Sequence, residues 1–370
     1  MTTPTYYIGL MSGTSMNAID AALVSLSPTH IKLIETHTET IPFSLKQAIK
    51  DLCSPGFNGI HKLGSMDTQL GRLFANTTLN LLKKTTIPRT AIQAIGSHGQ
   101  TIRHEPNHEF PFSMQIADPN TIAAHTGITT VADFRRRDIA HSGQGAPLTP
   151  AFHQFLLQDH PEDQWVLNIG GIANATHIKN HTVIAGFDTG PGNLLLDAWC
   201  EKHTGRPFDN HGEWATTGKI HTELLDHLLD HPFFKTQHPK STGRETFHME
   251  WLTTIIKRIQ SPISPEDVQA TLVELTAQTI ADSILQYQIN PTTIRVCGGG
   301  ANNHYLIKRL SSLCKQHAVT TTSSVGIDPE WVEACAFAWL AQQTLERKTI
   351  NLSAITGATR PSILGAIYTA

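Results

Sequence analysis

Residues 7–20, YIGLMSGTSMNAID, run directly into residues 21–26, AALVSL. An apolar strand stops, turns through Ser12-Gly13-Thr14-Ser15 and resumes as a strand. Two residues suffice for a hairpin turn. A longer turn of glycine and small hydroxyl residues offers backbone N–H groups and O–H donors to an anion. Residues 165–178, WVLNIGGIANATHI, repeat the scheme with Gly170-Gly171 at the turn. This echo predicts two related halves.

Outward from these two turns, short runs rich in β-branched residues alternate with amphipathic helical patterns, which predicts an α/β fold built on central sheets. Strands are expected over 5–10, 21–26, 31–36, 94–97, 129–132, 165–169, 175–178, 183–187 and 294–297. The clearest helix is 265–287. Ser264 is its N-cap, Pro265 its first residue, and Val268, Leu272, Leu275, Ile280 and Ile284 its apolar stripe. A second opens at Asp328-Pro329-Glu330 and turns Val332, Ala336, Trp339 and Leu340 inward. A third, 121–125, ends at Gly127. The expected division is an N-terminal lobe, 1–138, joined by the C-terminal segment from about 340 to 370, and a C-terminal lobe, 139–340.

A chain of 370 residues suits two domains of ordinary size. With a net charge of -3 and no long run of Lys or Arg, the composition excludes a nucleic-acid or acidic-membrane partner. A small molecule is the expected partner. The five cysteines are widely spaced with no CxxC pair, so they read as reduced thiols. No signal peptide or bilayer-spanning apolar run is present, and a cytoplasmic location is expected. Among 21 histidines, His227 and His231 lie four apart on a predicted helix, but no acid completes a metal site there, so both read as surface residues.

Glycine turns end three predicted strands, at residues 12–15, 168–171 (NIGG) and 297–302 (CGGGAN). A hairpin or bulge explains any one of them. Together they favour a nucleotide phosphate site split between two domains. None matches GxxxxGK[ST] or GxGxxG. A fourth motif, AGFDTGPGN at 185–193, places Asp188 at the end of a strand before a Gly-Pro-Gly turn into a helix, where ligands bind in open α/β sheets. Asp188 is therefore the candidate general base, an Asx turn or helix cap being the structural alternative. Two polar clusters, GSHGQTIRH at 96–104 and DFRRRD at 133–138, follow predicted strands and suit a sugar-like ligand. On a continuing strand Asp133, Arg135 and Arg137 share one face.

On these residues the chain resembles the anhydro-N-acetylmuramic acid kinase family of the sugar kinase and actin superfamily. GLMSGTS, IGSHGQTIRHEP, VADFRRRD, GQGAPLTPAFH, LNIGGIAN, GFDTGPGN, STGRE, VCGGGANN and EACAFAWLA look like that family's blocks in its order. The resemblance implies a two-lobed, actin-like (ribonuclease H-like) ATPase fold with an interdomain cleft. It makes Gly13, Thr14, Ser15, Met16, Asn17, Ala18, Ile19 and Asp20 the first phosphate loop for ATP, Gly170 and Gly171 the second phosphate turn, and Gly298, Gly299, Gly300 and Asn302 the loop near adenosine.

The implied reaction opens the 1,6-anhydro bridge of the sugar with water and transfers the ATP γ-phosphoryl group to O6. N-acetylmuramic acid 6-phosphate and ADP form in cell-wall recycling, with Asp188 activating the water. Thr101, Arg137 and Glu333 match sugar-holding positions, with Ser97, His98, Gln100 and Gly190 as further candidates. Mg2+ bridges the phosphates, with Asp20 acting on it through water, and a homodimer is implied.

Where the family reads MSGTSxDGxD, this chain carries Asn17 and Ala18, and Ser142 stands where a glycine is usual. The loss of an acid at position 17 motivates a competing reading as a non-catalytic nucleotide- and sugar-binding protein. Another sugar kinase of the superfamily is the other alternative.

Overall fold

In the computed structural model, which describes residues 5–13, 15–53, 59–237, 240–243, 246–287 and 292–370, each glycine-turn hairpin starts its own sheet. β1 (Thr5–Met11), β2 (Ala18–Leu26) and β3 (Ile31–Thr40) form an antiparallel meander. β4 (Ile92–Ser97) lies parallel to β1. β5 (Gln100–Glu105) and β6 (Phe112–Ile116) make a separate hairpin, and β7 (Thr130–Ala132) runs parallel to β4. In the second sheet β8 (Gln164–Ile169), β9 (Ile172–Lys179) and β10 (Thr182–Pro191) form the meander, with β11 (Thr293–Cys297) and β12 (Ala318–Thr321) added parallel on the β8 side. β13 (Ala366–Tyr368) joins the first sheet, antiparallel to β7.

The sheet orders are therefore β13-β7-β4-β1-β2-β3 and β10-β9-β8-β11-β12. Leaving β13 aside, the strands occur in the same order and sense in both, so the echo in the sequence is a repeat in topology. Each unit has the α/β architecture expected of an actin-like fold.

The chain divides into two compact units, Met1–Asp159 with Trp331–Ala370, and His160–Glu330. The sequence reading set these boundaries at 138/139 and about 340. The difference has a packing cause: Phe152 and Phe155, on the helix Thr149–Leu156, pack against Trp339 within the first unit, at ring-centroid distances of 6.0 and 5.6 Å.

The helix Val332–Leu345 is mostly buried, and Val332, Ala336, Trp339 and Leu340 are buried as their spacing predicts. It lies on the first sheet where Gly9 and Gly96 remove side chains. A Cβ at Gly9 would stand 1.7 Å from the Ala334 carbonyl oxygen, and one at Gly96 1.9 Å from that of Phe337. A short 3₁₀ turn, Pro329–Trp331, precedes it where the sequence placed the first helical turn. In the second unit the helix Pro265–Leu285 stops two residues before the predicted end. Ser264 caps it by accepting from the Asp267 N–H, and its five predicted stripe residues join the core. The helix Pro119–Thr126 ends at Gly127 in left-handed backbone (φ 64°), as predicted.

One local expectation is corrected. The segment after β7 does not continue as a strand: Asp133 has φ 60° and residues Arg136–Ile139 form a helical turn, so Asp133, Arg135 and Arg137 do not alternate on a strand face.

Candidate active site

In the second unit the register decides which side chains share a face. Trp165, Leu167 and Ile169 of β8, Ala173 and Ala175 of β9 and Ala185 and Phe187 of β10 belong to the apolar core. Strand alternation then puts Asn168, Asn174 and Asp188 on the opposite face. The ladders pair Asn168 with Asn174 and Asn174 with Asp188, so the three form one polar row across β8, β9 and β10. The Asp188 N–H donates to the Lys240 carbonyl oxygen at 3.1 Å, away from β9. Asp188 and Asn174 are thus a non-hydrogen-bonded pair, the class whose Cβ atoms approach to about 4.5–5.5 Å. The Thr242 N–H donates to Asp188 Oδ2 at 2.9 Å.

Three glycine motifs far apart in sequence meet beside this row. The N–H groups of Gly192 and Leu194 donate to the Gly171 carbonyl (2.9 and 3.1 Å), and that of Asn193 to Gly170 (2.8 Å). The start of the helix Asn193–Thr204 is thereby held against the β8–β9 turn. Gly298, in left-handed backbone at φ 78°, follows β11. A Cβ there would fall 2.4 Å from Asn168 Oδ1, so only glycine lets this loop approach the row. Next to it opens a cavity of about 550 Å³ lined by residues that include Ala301, Asn302, Ile307, Lys308 and Pro329. It combines apolar walls with donors, as a nucleoside pocket requires.

In the first unit the turn between β1 and β2 is tied to the β5–β6 hairpin: Ser12 Oγ donates to Gln100 Oε1 at 2.7 Å. Of the predicted loop, Met16 and Ile19 are core residues, Ser15 and Asn17 are exposed, and Thr14 lies outside the described residues. A Cβ on Gly13 would meet nothing within 4 Å, so the backbone there is open to an incoming anion. Asn17 Oδ1 accepts from the Lys46 ammonium. Thr38 Oγ1 donates to Asp20 Oδ1 at 2.8 Å. The described residues include no cluster of three His, Cys, Asp or Glu that could cage a cation. Asp20 fits a Mg2+ held mainly through phosphate oxygens and water.

The two polar clusters separate into structural and available residues. His98 is buried. Its Nδ1 lies 2.9 Å from the Gly99 carbonyl and its Nε2 2.8 Å from Arg135 Nη2, which fixes a neutral ring donating from Nδ1 and accepting at Nε2. Burial, then the Arg135 charge, lower its pKa to about 3. Arg135 also donates to the Gly145 carbonyl at 2.7 Å, and Arg136 pairs with Asp133 at 3.4 Å. Arg137 is exposed and has no hydrogen bond or ion pair among the described residues. Buried Asp138 accepts from the Gly145 N–H (2.7 Å) and Thr356 Oγ1 (2.9 Å), pinning the loop. Gln115 donates to Thr101 Oγ1 at 3.1 Å. Ser97 is buried, whereas Thr101 and Glu333 are half-buried.

Gly190 lies in the second unit, at the end of β10 beyond the bulge that follows Asp188. Of the two histidines read as surface residues, His227 is exposed, whereas half-buried His231 caps a helix, its Nδ1 accepting from the Phe233 N–H at 3.2 Å.

Sequence reading missed Asn174, Lys240 and Thr242. The GIAN and KST strings held them, but only the ladder and the return of residues 240–242 to β10 put them beside Asp188. No helix among the described residues is long and apolar enough to cross a membrane.

The chain matches the family model described as anhydro-N-acetylmuramic acid kinase over residues 5–370. It is 53% identical over 364 residues to the anhydro-N-acetylmuramic acid kinase of Coxiella burnetii (strain RSA 493 / Nine Mile phase I), with 98% of this chain and 97% of the relative covered. To that of Shewanella baltica (strain OS185) it is 49% identical over 366 residues, with 99% of each covered. Among solved structures it is similar to the activator of the 2-hydroxyisocaproyl-CoA dehydratase from Clostridium difficile with bound ADPNP, at 12% identity and a TM-score of 0.48. That match covers 94% of this chain and 100% of that one.

Proposed function

We propose, from the premise that this chain belongs to the anhydro-N-acetylmuramic acid kinase family, that its kinase reaction couples hydrolysis to phosphoryl transfer, with Asp188 as the base. Water adds to C1 of 1,6-anhydro-N-acetylmuramic acid as the C1–O6 bond breaks. Asp188 takes the proton of that water, and O6 accepts the γ-phosphoryl group as its bond to ADP breaks. The products are N-acetylmuramic acid 6-phosphate and ADP, in a cytoplasmic step of cell-wall recycling.

The observation that carries this reading is the placement of Asp188. It lies on the polar face near the C-terminal end of β10, just before the bulge, with the Thr242 N–H on Oδ2 and the converged glycine turns beside it. An ionised carboxylate only accepts, through about four lone-pair sites on its two oxygens, which suits it to take a water proton. The cavity beside Asn302 suits the adenosine, the open backbone at Gly13 suits a phosphate, and exposed Arg137, with no hydrogen bond or ion pair among the described residues, suits the sugar together with Thr101 and Glu333. Mg2+, when bound, would neutralise charge on the phosphate oxygens, with Asp20 oriented toward its water shell.

The test is mass spectrometry of the product formed from ATP, Mg2+ and the anhydro sugar in ¹⁸O water. The expected product carries the heavy oxygen at C1 and phosphate on O6. Asp188→Asn should lower turnover by about 10²–10⁴-fold while ligand binding persists. Heavy oxygen in the released phosphate, or undiminished turnover by the variant, would overturn the mechanism.

A further inference from the structure

Lys240 is only 8% exposed, yet its ammonium group has few partners. Nζ donates to the Phe233 carbonyl at a long 3.4 Å and stands 4.7 Å from the centroid of the Phe233 ring. No carboxylate forms an ion pair with it among the described residues. A buried ammonium carries three donors, and leaving them without an anion is costly. Burial lowers the pKa of Lys240, while the negative charge of Asp188 raises it.

The backbone shows what this cation is attached to. The Lys240 carbonyl accepts the Asp188 N–H at 3.1 Å, and two residues later the Thr242 N–H holds Asp188 Oδ2 at 2.9 Å. The backbone that carries the ammonium side chain is therefore tied to the base by one short stretch of chain. An anion seated on Lys240 would be registered against Asp188.

Resting on the reaction proposed above, we infer that Lys240 is the specificity residue that binds the carboxylate of the muramic acid's lactyl group. This carboxylate is the charged part of the lactyl ether that distinguishes the acid sugar from its lactyl-free counterpart, 1,6-anhydro-N-acetylglucosamine. A desolvated ammonium with no ion pair among the described residues gains a charge-assisted hydrogen bond from the acid and nothing comparable from the neutral sugar. Seating the lactyl carboxylate there also orients the ring so that C1 faces the water on Asp188.

The test measures dissociation constants of both sugars by calorimetry without ATP, on the wild-type chain, Lys240→Met and Lys240→Arg, alongside turnover of each. Wild type should bind the acid sugar at least about tenfold more tightly than the lactyl-free one. Lys240→Met should remove that preference by weakening the acid alone, and Lys240→Arg, which keeps the charge, should retain part of it. Equal weakening of both sugars in Lys240→Met, or a preference that survives it, would overturn the inference and leave Lys240 as a counter-charge for Asp188. Binding is read without chemistry, so an absent turnover with the binding pattern intact would count against the proposed reaction and not against Lys240.

Discussion

Ser142 holds a backbone conformation that penalises any side chain. Its φ is 65° on an exposed loop, where its N–H closes a turn on the Ile139 carbonyl at 2.9 Å. This explains in physical terms why glycine suits the position, a point the sequence presented only as a departure from the family pattern. Ser142→Gly should stabilise the chain by about 0.5–1 kcal/mol, the relief of left-handed strain slightly exceeding the entropy that glycine adds to the unfolded state. A higher urea midpoint with an unchanged slope is the expected readout. Asn174 tests the electrostatics of Asp188. Asn174→Asp would set a second carboxylate opposite the first in a close pair, and like charges so placed raise one pKa. The acidic limb of the kcat/KM profile should move to higher pH by about one unit. An unmoved limb would show that Asp188 does not govern it.

Among the elements, the helix Val332–Leu345 depends on two absent side chains. Gly9→Ala and Gly96→Ala would each drive a Cβ into a helix carbonyl, and each should cost at least about 3 kcal/mol or abolish folding, as read by thermal melting. In the second unit Arg309 grips buried Glu274 through two hydrogen bonds of 2.6 and 2.8 Å, joining the helices Pro265–Leu285 and His304–Leu313. Glu274→Leu strands the guanidinium and should destabilise by about 3 kcal/mol, and a compensating Arg309→Met should restore much of it.

These examples also show which elements could be read from sequence. The helix from Pro265 was legible because its cap, proline and apolar stripe are local signals. The 23-residue helix Ile60–Leu82 was not, since Gly59 offers no capping side chain at its start. The β5–β6 hairpin is defined by pairing partners such as Thr101 with Gln115, which no local pattern reveals. Asp188 was legible from its turn, whereas Asn174 needed the ladder and Lys240 needed a contact across more than fifty residues of chain.

For the whole molecule, acid should be the weak side. Burial holds His98 near pKa 3, His104 near 4 and His153 near 3, all in the first unit. Below the ordinary imidazole value of 6.5 the unfolded chain takes up these protons and the folded chain does not, so stability falls as pH falls toward the folded values. The slope is about 1.4 kcal/mol per pH unit for each group. Asp67, Asp133, Asp138 and Asp282, raised chiefly by burial, and Asp197, pushed up by burial to about 7, act in the opposite sense once they protonate in the folded state and offset part of this loss. Urea midpoints should therefore fall as pH drops below 6.5, most steeply about a unit lower, where the unfolded rings are charged and the folded ones still neutral, and flat midpoints down to pH 4 would contradict the burial of these rings.

The interrupted first unit has a further consequence, for the order in which a ribosome releases the chain. Residues His160–Glu330 form a continuous stretch and can close their core as soon as they emerge. Met1–Asp159 emerges earlier but lacks the helix that covers Gly9 and Gly96 and the strand that extends the sheet beyond β7. The segment made first is thus completed last. Until Trp331–Ala370 arrives, its open sheet face is a natural place for a chaperone to bind a nascent chain.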